Sequence, residues 1–287
     1  MSKSSRCWLN GRIVPDGEAV VSVFDHGLLY GDGVFEGIRF YHDNAFKLQE
    51  HLARLYKSAQ AILLQIPYTV TELAFAVAET IAAYGGGQGY LRLVVTRGVG
   101  LLGLDPTSCV LPTVFIIAAP LALIREEDRA RGVPVIIAST RRLAPDGLDP
   151  RIKSLNYMNH ILARMEANHA GVPEAIMLNH AGRVAEGTAD NIFIVRGGII
   201  MTPPGYDGAL EGITRGVIID LAQKKGISVQ ESSLGPYDLY TADEVFLTGT
   251  GAELIPVSAV DGRAMASCPG PIFRILLADF QSLTEQQ

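Results

Sequence analysis

The segment KSLNYMNHILARMEA, residues 153–167, joins a polar loop to an amphipathic helix, and the interpretation of the whole chain starts from it. Strand-like apolar runs flank this segment, with VPVIIAST at 133–140 before it and EAIMLN at 174–179 after it. Alternating strands and helices are typical of α/β proteins, but several closely spaced hairpins elsewhere do not suit a uniform parallel sheet. The sequence therefore predicts a mixed α+β fold.

The rest of the chain divides into two predicted domains. A small α/β domain is expected over 1–119, a short polar connector over 120–132, and a larger domain of pseudo-barrel type over 133–287. The small domain is predicted from strands CWLNGRIV and AVVSVFD around a Pro-Asp-Gly turn, strand GVFEGIRFY, helices at 48–64 and 69–87, and strands at 89–98 and 113–120. The second helix begins at a Thr69-x-x-Glu72 capping box. In the larger domain, strands are expected at 191–198, 199–203, 227–233 and 244–257, with helices at 212–226 and the C-terminus.

Composition excludes several classes of function. The formal net charge is −6, whereas a surface that follows nucleic-acid phosphates usually shows a basic excess. The three cysteines are odd in number and far apart, which is typical of a reducing compartment. The N-terminus has no apolar leader, and the longest apolar run contains Pro120, so we expect a cytoplasmic protein. The six histidines show no metal-ligand spacing, and no metal is expected.

GVGLLG, residues 98–103, matches a dinucleotide-binding pattern and raises the alternative of an NAD-dependent oxidoreductase. Such a pattern must open a helix, whose N-terminus then holds the pyrophosphate. Here Pro106 and another strand follow instead. We interpret the glycines as a turn.

Lys153 is a lysine at a loop–helix junction, where the ordinary role is a solvated surface charge. Other features favour chemistry. Thr214 lies at the start of a helix in GITRG, a place that holds phosphate, and TGTGAEL from Thr248 to Leu254 is a turn that can direct N–H groups at an anion. Arg54 can supply a guanidinium. An amine with several phosphate-binding elements suits pyridoxal 5'-phosphate, whose aldehyde needs a lysine.

Glu186 precedes an apolar strand and is expected in a turn, where a capping or exposed role is the ordinary alternative. A carboxylate at the pyridine nitrogen of pyridoxal phosphate keeps that nitrogen protonated, so that the ring can accept electrons. Glu186 is the candidate for this position.

These strings carry a family resemblance: YGDGVFEGIRFY, HLARLYKSA, YLRLVVTRG, KSLNY, EGTADNIF, LEGITR and FLTGTGAEL. In order and approximate spacing, they resemble pyridoxal-phosphate enzymes of fold type IV, and most closely the branched-chain amino acid aminotransferases. The similarity extends from about residue 8 to residue 262. One departure is that Asp190 precedes Asn191, where the family more often has glutamate.

The resemblance implies a role for each matching residue. Lys153 would be the catalytic residue and carry the cofactor as an internal aldimine, Tyr157 would bind its phenolic oxygen, and Glu186 would pair with its ring nitrogen. The remaining implied cofactor contacts are Arg54, Leu210, Ile213, Thr214, Gly249 and Thr250. The implied substrate contacts are Tyr30, Phe35, Gly37, Arg39, Tyr90, Arg92, Thr250 and Gly251, some of them across a dimer interface.

The implied reaction is transamination between branched-chain L-amino acids and 2-oxoglutarate by a ping-pong mechanism. Phe35 and Ile38 are expected to contact the apolar substrate, and Arg92 its acidic counterpart, unless Arg92 forms a structural ion pair. The partners expected are small amino and oxo acids and a second copy of the chain. The same fold leaves three alternatives open: a D-amino acid aminotransferase, an (R)-amine transaminase and an aminodeoxychorismate lyase.

Overall fold

The computed structural model describes residues 5–120 and 126–286 of the chain. These residues form two compact units. Unit 1 comprises 5–120 with Ile152–Asn156 and the residues from Thr284, and unit 2 comprises 126–151 with Tyr157–Leu283. The predicted connector includes 121–125, which lie outside the described residues.

Unit 1 is built on one antiparallel sheet, with strand order β2-β1-β6-β5-β3-β4. Its strands are β1 (Arg6–Leu9), β2 (Arg12–Val14), β3 (Gly33–Tyr41), β4 (Asn44–Ala45), β5 (Gly89–Thr96) and β6 (Thr113–Ala119). Its helices are α1 (His26–Tyr30), α2 (Leu48–Ala61) and α3 (Val70–Tyr84). Leu52, Leu55, Leu73 and Val77 of α2 and α3 are buried in one core with Ile38 of β3 and Leu91 of β5. The helices therefore cover one face of β3 and β5.

Unit 2 contains a curled, mixed sheet with the order β12-β11-β10-β13-β14-β7-β8-β9, and β15 pairs with β14. Its strands are β7 (Val133–Ile137), β8 (Glu174–Leu178), β9 (Val184–Gly187), β10 (Asn191–Arg196), β11 (Ile199–Thr202), β12 (Val229–Glu231), β13 (Glu244–Gly249), β14 (Glu253–Val260) and β15 (Arg263–Ala264). Its helices are α4 (Glu126–Arg131), α5 (Met158–His169), α6 (Ile213–Lys224), α7 (Pro236–Tyr240) and most of α8 (Pro271–Glu285). Parallel pairs join β11 to β12, β14 to β7 and β7 to β8, whereas the other pairs are antiparallel. The prediction of a mixed α+β fold is confirmed.

Several local predictions are confirmed. The α3 helix begins at the predicted capping box, because Thr69 Oγ1 accepts from Glu72 N at 3.2 Å and Thr69 N donates to Glu72 Oε2 at 2.7 Å. GVGLLG lies between β5 and β6 and opens no α-helix, as expected for a turn.

Two local predictions are wrong, and two short helices were not predicted. AVVSVFD forms no strand: its side chains at Val20 and Val23 are 70% and 68% exposed, and Asp25 caps α1 instead. The turn of the first hairpin, between β1 and β2, lies at Asn10 and Gly11, which both adopt positive φ. The β2 strand then ends at Val14, before the Pro-Asp-Gly sequence. The α1 and α7 helices have only five residues each, too short to show a helical period.

Among the described residues, no helix combines the length and the apolar character needed to span a bilayer.

Candidate active site

The Lys153 loop is fixed to the start of β3. Phe35 N donates to Lys153 O at 3.0 Å, Leu155 N donates to Gly33 O at 3.0 Å, and Val34 and Ser154 form an antiparallel bridge. This part of β3 is available because β4 pairs only with Phe40 and Tyr41. The backbone of Lys153 is thereby held like an added strand of the unit 1 sheet.

The amine of Lys153 lies over an aromatic ring. Its Nζ atom is 4.5 Å from the centroid of the Phe35 ring, within the range of a cation–π contact. Its backbone N–H also donates to Ser58 Oγ at 3.1 Å, so α2 helps to position the same residue. The side chain is half-buried, which leaves the amine partly accessible.

Most predicted substrate residues share one face of the unit 1 sheet. Gly37 is opposite Arg92, and Arg39 is opposite Tyr90, in the β3–β5 register. Because side chains alternate along a strand, these residues lie on the same face as Phe35. The Arg92 guanidinium lies 4.5 Å from the Phe35 ring centroid and 5.6 Å from that of Tyr90. The Phe35 ring is therefore in contact with both the Lys153 amine and the Arg92 guanidinium.

Ile38 does not belong to this face. Its side chain points to the opposite side of β3 and is completely buried in the core with α2 and α3. The expectation that Ile38 contacts substrate is therefore wrong, because a one-residue step along a strand reverses the direction of the side chain.

Gly37 is required by its neighbour. A Cβ atom at Gly37 would lie 1.9 Å from Tyr90 Oη, which is closer than any van der Waals contact. The Tyr90 ring thus lies across the backbone of β3, where any larger residue would displace it.

Tyr30 lies at the end of α1, whose N-cap is Asp25. Its hydroxyl accepts from Gly103 N at 2.9 Å, and its ring meets the His26 ring edge-on with centroids 4.9 Å apart. These contacts connect Tyr30 to the loop between β5 and β6.

Arg54 is paired on the helix-covered face of β3. Its Nε donates to Glu36 Oε1 at 2.7 Å and its second terminal nitrogen to Glu36 Oε2 at 2.8 Å, while His51 Nδ1 is 2.7 Å from Oε2. Burial alone would raise the pKa of Glu36, but the charge and hydrogen bonds of Arg54, with those of His51, outweigh it and hold the pKa at about 2. Burial also lowers the pKa of His51. The guanidinium predicted to bind phosphate is thus held by a buried carboxylate.

In unit 2, Tyr157 is the N-cap residue of α5. Its ring stacks on the ring of His160, with centroids 4.5 Å apart and planes 26° from parallel. His160 is buried and lies one helical turn further along α5. The stacking fixes the plane of the phenol.

Glu186 lies within strand β9 and is buried, so the expectation of a turn is wrong. Its Oε2 accepts from Leu210 N at 2.9 Å, and its Oε1 is 2.8 Å from Arg142 Nε. The backbone carbonyl of Leu210 in turn accepts from Asn191 Nδ2 at 2.8 Å. This carboxylate is therefore held in one orientation from two sides.

The start of α6 has the form expected of an anion site. Gly212 is its N-cap and contributes no side-chain cap, so the first N–H groups of a 12-residue helix are left for other acceptors. Gly212 also passes close to Asn191, whose Oδ1 would lie 2.0 Å from a Cβ at that position. Ile213 and Thr214, both predicted cofactor contacts, are the first two residues of this helix.

The predicted turn at Thr250 and Gly251 joins β13 to β14. At its edge, a Cβ on Gly249 would lie 2.2 Å from Asp190 Oδ1. Burial, followed by the charges of Glu174 and Glu186, raises the pKa of Asp190 to about 8. The Asp190 carboxyl group therefore keeps its proton to a higher pH than an exposed aspartate does.

With this geometry in place, comparisons with known proteins identify the family. Residues 33–260 match the model of the amino-transferase class IV family. The chain belongs to the class IV aminotransferases. A Methanocaldococcus jannaschii protein is 53% identical over 260 residues, covering 91% of this chain and 89% of that one. The branched-chain-amino-acid aminotransferase of Escherichia coli K12 is 36% identical over 266 residues, covering 91% and 86%.

Solved structures of this aminotransferase family agree over almost the full chain. The Thermoproteus uzoniensis branched-chain aminotransferase with norvaline has a TM-score of 0.92 at 40% identity, covering 98% of this chain and 95% of that one. The T.th. branched-chain amino acid aminotransferase with pyridoxamine 5'-phosphate has a TM-score of 0.93 at 36% identity, covering 100% and 96%. The family predicted from the sequence is confirmed.

Among the residues of this aminotransferase that sequence reasoning missed are two that contact Glu186 and Tyr157. Arg142 pairs with Glu186, and His160 stacks on Tyr157. The contact of His160 could have been predicted from the sequence, since residues three apart on a helix are neighbours and Tyr157 begins that helix. The contact of Arg142 could not, because Arg142 lies 44 residues from its partner and beside a second arginine, Arg141. No group of three potential metal-ligating side chains occurs among residues 5–120 and 126–286.

Proposed function

We propose that this protein is a pyridoxal-phosphate-dependent aminotransferase that transfers the amino group of branched-chain L-amino acids to 2-oxoglutarate, with Lys153 as the catalytic residue. The observation that carries the proposal is the location of the Lys153 amine. It lies over the Phe35 ring, on the sheet face that also holds Gly37, Tyr90 and Arg92.

The residues of unit 2 suit the cofactor. Glu186 offers a buried, oriented carboxylate for the ring nitrogen, and Tyr157 offers a phenol whose plane is fixed. The uncapped start of α6 offers N–H donors for a phosphate. Thr248 Oγ1 is buried and has no hydrogen-bond partner within the described part of the chain, as expected where a polar ligand belongs nearby.

In this mechanism, the bound cofactor would supply an electron sink for the negative charge that forms at the substrate α-carbon. Lys153 would hold the cofactor through Nζ and, once released, accept and return the α-proton as a general base and acid. Glu186 would keep a proton on the ring nitrogen. Ile213 and Thr214 at the start of α6, with Arg54 and Thr250, would bind the phosphate. Backbone N–H groups at Thr250 and Gly251 would bind the substrate carboxylate, and the Leu210 side chain would pack against the ring.

The substrate site must accept both the apolar side chain of a branched-chain amino acid and the distal carboxylate of 2-oxoglutarate. Phe35 and Tyr90 provide apolar faces, and Arg92 forms no ion pair with a carboxylate among the residues described. Arg92 is thus suited to the distal carboxylate of 2-oxoglutarate. The T.th. enzyme has been crystallised with 4-methylvaleric acid and with N-(5'-phosphopyridoxyl)-L-glutamate, one branched ligand and one acidic one. These ligands support the same pair of substrates here.

A substrate panel tests the reaction. Purified protein loaded with pyridoxal 5'-phosphate is given L-leucine, L-isoleucine, L-valine, D-alanine or an (R)-amine, each with 2-oxoglutarate, and glutamate formation is measured. The three branched L-amino acids should be converted fastest. Faster conversion of D-alanine or the amine, or pyruvate release from aminodeoxychorismate without an acceptor, would contradict the proposed specificity.

Lys153→Ala tests the catalytic assignment. The variant should lose turnover while its thermal unfolding stays within a few degrees of the wild type, since the amine is half-buried and contributes little to the core. Lys57→Ala, which removes another unit 1 lysine, is the matched control and should remain active. Borohydride reduction of the wild type followed by peptide mass mapping should find a phosphopyridoxyl group on Lys153. An active, cofactor-loaded enzyme without that modification would rule out Lys153.

We also propose that two copies associate through unit 1. Two loops in mutual contact expose apolar side chains: Gly100 N donates to Phe24 O at 3.3 Å, and His26 Nε2 is 2.9 Å from Leu101 O. We call the exposed residues of these loops and of the adjoining helix α1 the apolar loop surface; they include Val23, Phe24, Leu28, Leu101, Leu102 and Leu104. Exposed apolar side chains concentrated in this way usually mark a protein interface.

The three cysteines are free, which supports the proposed reducing, cytoplasmic location.

A further inference from the structure

A buried series of polar contacts in unit 2 connects Glu186 to Tyr157. Arg142 Nε lies 2.8 Å from Glu186 Oε1, and Arg142 also donates from a terminal nitrogen to His160 Nε2 at 2.6 Å. His160 Nδ1 is 2.8 Å from Thr188 O, and its ring stacks on Tyr157. Arg142, His160 and Glu186 are 8%, 5% and 5% exposed. Two residues with no assigned role thus join two predicted cofactor contacts.

The contacts determine the protonation of His160. A guanidinium can only donate, so Nε2 must accept and cannot carry a proton. The single ring proton is then on Nδ1, where the carbonyl of Thr188 accepts it. An imidazole held at both nitrogens cannot turn about its bond to Cβ, so its face stays against Tyr157.

Arg142 places a positive charge in contact with Glu186. Burial and neighbouring negative charge both favour the neutral form of a carboxyl group, and Glu174 is an acidic residue buried in the same unit. Asp190 shows the consequence, since burial and its acidic neighbours raise its pKa to about 8. A neutral Glu186 would lose the charge that retains a proton on the pyridine nitrogen. Arg142 opposes that loss.

We propose that Arg142 is a positioning residue that keeps Glu186 ionised and correctly oriented, and that through His160 it also fixes the plane of Tyr157. The two ring contacts are then held by one buried guanidinium. This inference rests on the proposed function, because it concerns the ring nitrogen of pyridoxal 5'-phosphate.

The direct test observes that nitrogen. Wild type, Arg142→Met and Arg196→Met are loaded with pyridoxal 5'-phosphate carrying ¹⁵N in the ring, and nitrogen NMR measures its protonation at pH 8. Arg196 is the control because it too forms an ion pair in unit 2, 3.1 Å from Asp238, but outside this series of contacts. The nitrogen should be protonated in wild type and control and deprotonated in Arg142→Met. A protonated nitrogen in Arg142→Met overturns the proposal.

A second measurement separates this role from a general effect on the fold. Arg142→Met should weaken binding of pyridoxal 5'-phosphate by about 10- to 100-fold, the usual effect of losing a charged hydrogen bond. An analogue with carbon in place of the ring nitrogen should bind wild type and variant equally, because it offers Glu186 no ring N–H group with which to form a hydrogen bond. Equal weakening for both ligands would show a purely structural role and overturn the proposal.

Variants of milder chemistry cover the case in which Arg142→Met does not fold. Arg142→Lys keeps the positive charge and should keep the ring nitrogen protonated, whereas Arg142→Gln keeps hydrogen bonding without charge and should not. The reverse order overturns the proposal. His160→Phe keeps a stacking ring and should retain more cofactor affinity than His160→Ala; equal losses would remove His160 from the inference.

Failure of the proposed function has a different signature. If the wild type binds no pyridoxal 5'-phosphate, the proposed function and this inference both fall. If the wild type binds it and Arg142→Met behaves identically, only the inference falls.

Discussion

At the scale of the residue, the buried group formed by Glu36, His51 and Arg54 places an ion pair inside unit 1. The Glu36 side chain is completely buried, and both of its oxygens accept hydrogen bonds from Arg54. A buried ion pair adds little net stability, but removing one member leaves the other charge without compensation. The pair therefore constrains which substitutions the strand tolerates, and it keeps Arg54 in place.

Glu36→Gln should lower the free energy of unfolding by about 3–5 kcal/mol, because it leaves the Arg54 charge without its partner. Since the pKa of Glu36 is about 2 in the folded protein and about 4.3 in an unfolded chain, its contribution is present above pH 4.3 and is lost as the pH falls towards 2. The variant should thus lose less stability than wild type between pH 4 and pH 2. Urea unfolding at several pH values measures both effects.

Glu50→Gln is the matched control, on the α2 helix that carries Arg54. Glu50 pairs with Lys47 at 2.8 Å, but the two side chains are 47% and 37% exposed. Exposed pairs contribute only about 0–1 kcal/mol. Equal losses in Glu50→Gln and Glu36→Gln would contradict the role assigned to the buried pair.

Asp190 has the opposite perturbation, since its pKa is raised to about 8. In an unfolded chain its pKa is about 3.9, so the folded protein binds an extra proton between these values and loses stability as the pH rises from 4 to 8. Asp190→Asn imitates the neutral acid and removes this dependence. Its melting temperature relative to wild type should increase from pH 5 to pH 8 and then level off. A difference that stays constant over this range would show that Asp190 is ionised throughout.

At the scale of the element, strand β3 serves the core and the site with alternate residues. One set of alternate residues lies on the side of the sheet where the Lys153 amine lies: Phe35, Gly37 and Arg39. The other set faces α2 and α3: Val34, Glu36 and Ile38. This division explains why a continuous run of buried residues carries both apolar and charged side chains. The strand can therefore not shift in register without exchanging the two sets.

Gly37→Ala tests the close contact between β3 and β5. The new methyl group would collide with Tyr90 Oη, displace the ring and disturb Arg92, so kcat/KM for L-leucine should fall by about 100-fold. Adding Tyr90→Phe removes the colliding oxygen and should restore part of the loss. Gly17→Ala, where a Cβ would meet nothing within 4 Å, should have wild-type activity. Wild-type kinetics in Gly37→Ala would mean that Tyr90 does not help to shape the substrate site.

At the scale of the whole molecule, the apolar loop surface is the feature that a single chain does not explain. Leu102 and Leu104 are 73% and 83% exposed, in loops that are connected by backbone hydrogen bonds. Covering such side chains with a second copy would remove apolar area from water at about 25 cal/mol per Å². Homodimer formation through unit 1 follows from the proposal.

Leu102→Asp combined with Leu104→Asp should shift the protein from dimer to monomer, as measured by sedimentation velocity at micromolar concentration, because each carboxylate would have to be buried unpaired. Tyr237→Asp introduces the same charge at another exposed apolar residue, 72% exposed on α7, and should leave the dimer intact. An unchanged sedimentation coefficient in the double variant would place the interface elsewhere.

The accuracy of the predictions made from the sequence depends on how far apart along the chain the interacting residues lie. The long helices α2, α3 and α6 and the strand β3 were predicted because their patterns repeat within the element itself. AVVSVFD shows the limit, since its apolar residues satisfy a strand pattern but are exposed in unit 1. A local pattern cannot tell whether an apolar face will meet its own core or another surface.

The sequence alone determined the family, the catalytic lysine candidate and the chemistry expected of it, because these depend on residue types in a fixed order along the chain. Only the tertiary structure showed that Arg142 pairs with Glu186 across 44 residues and Glu36 with Arg54 across 18, or that Ile38 belongs to the core. Ion pairs and the direction of a side chain depend on which elements become neighbours in space. That information appears only when strands and helices have packed.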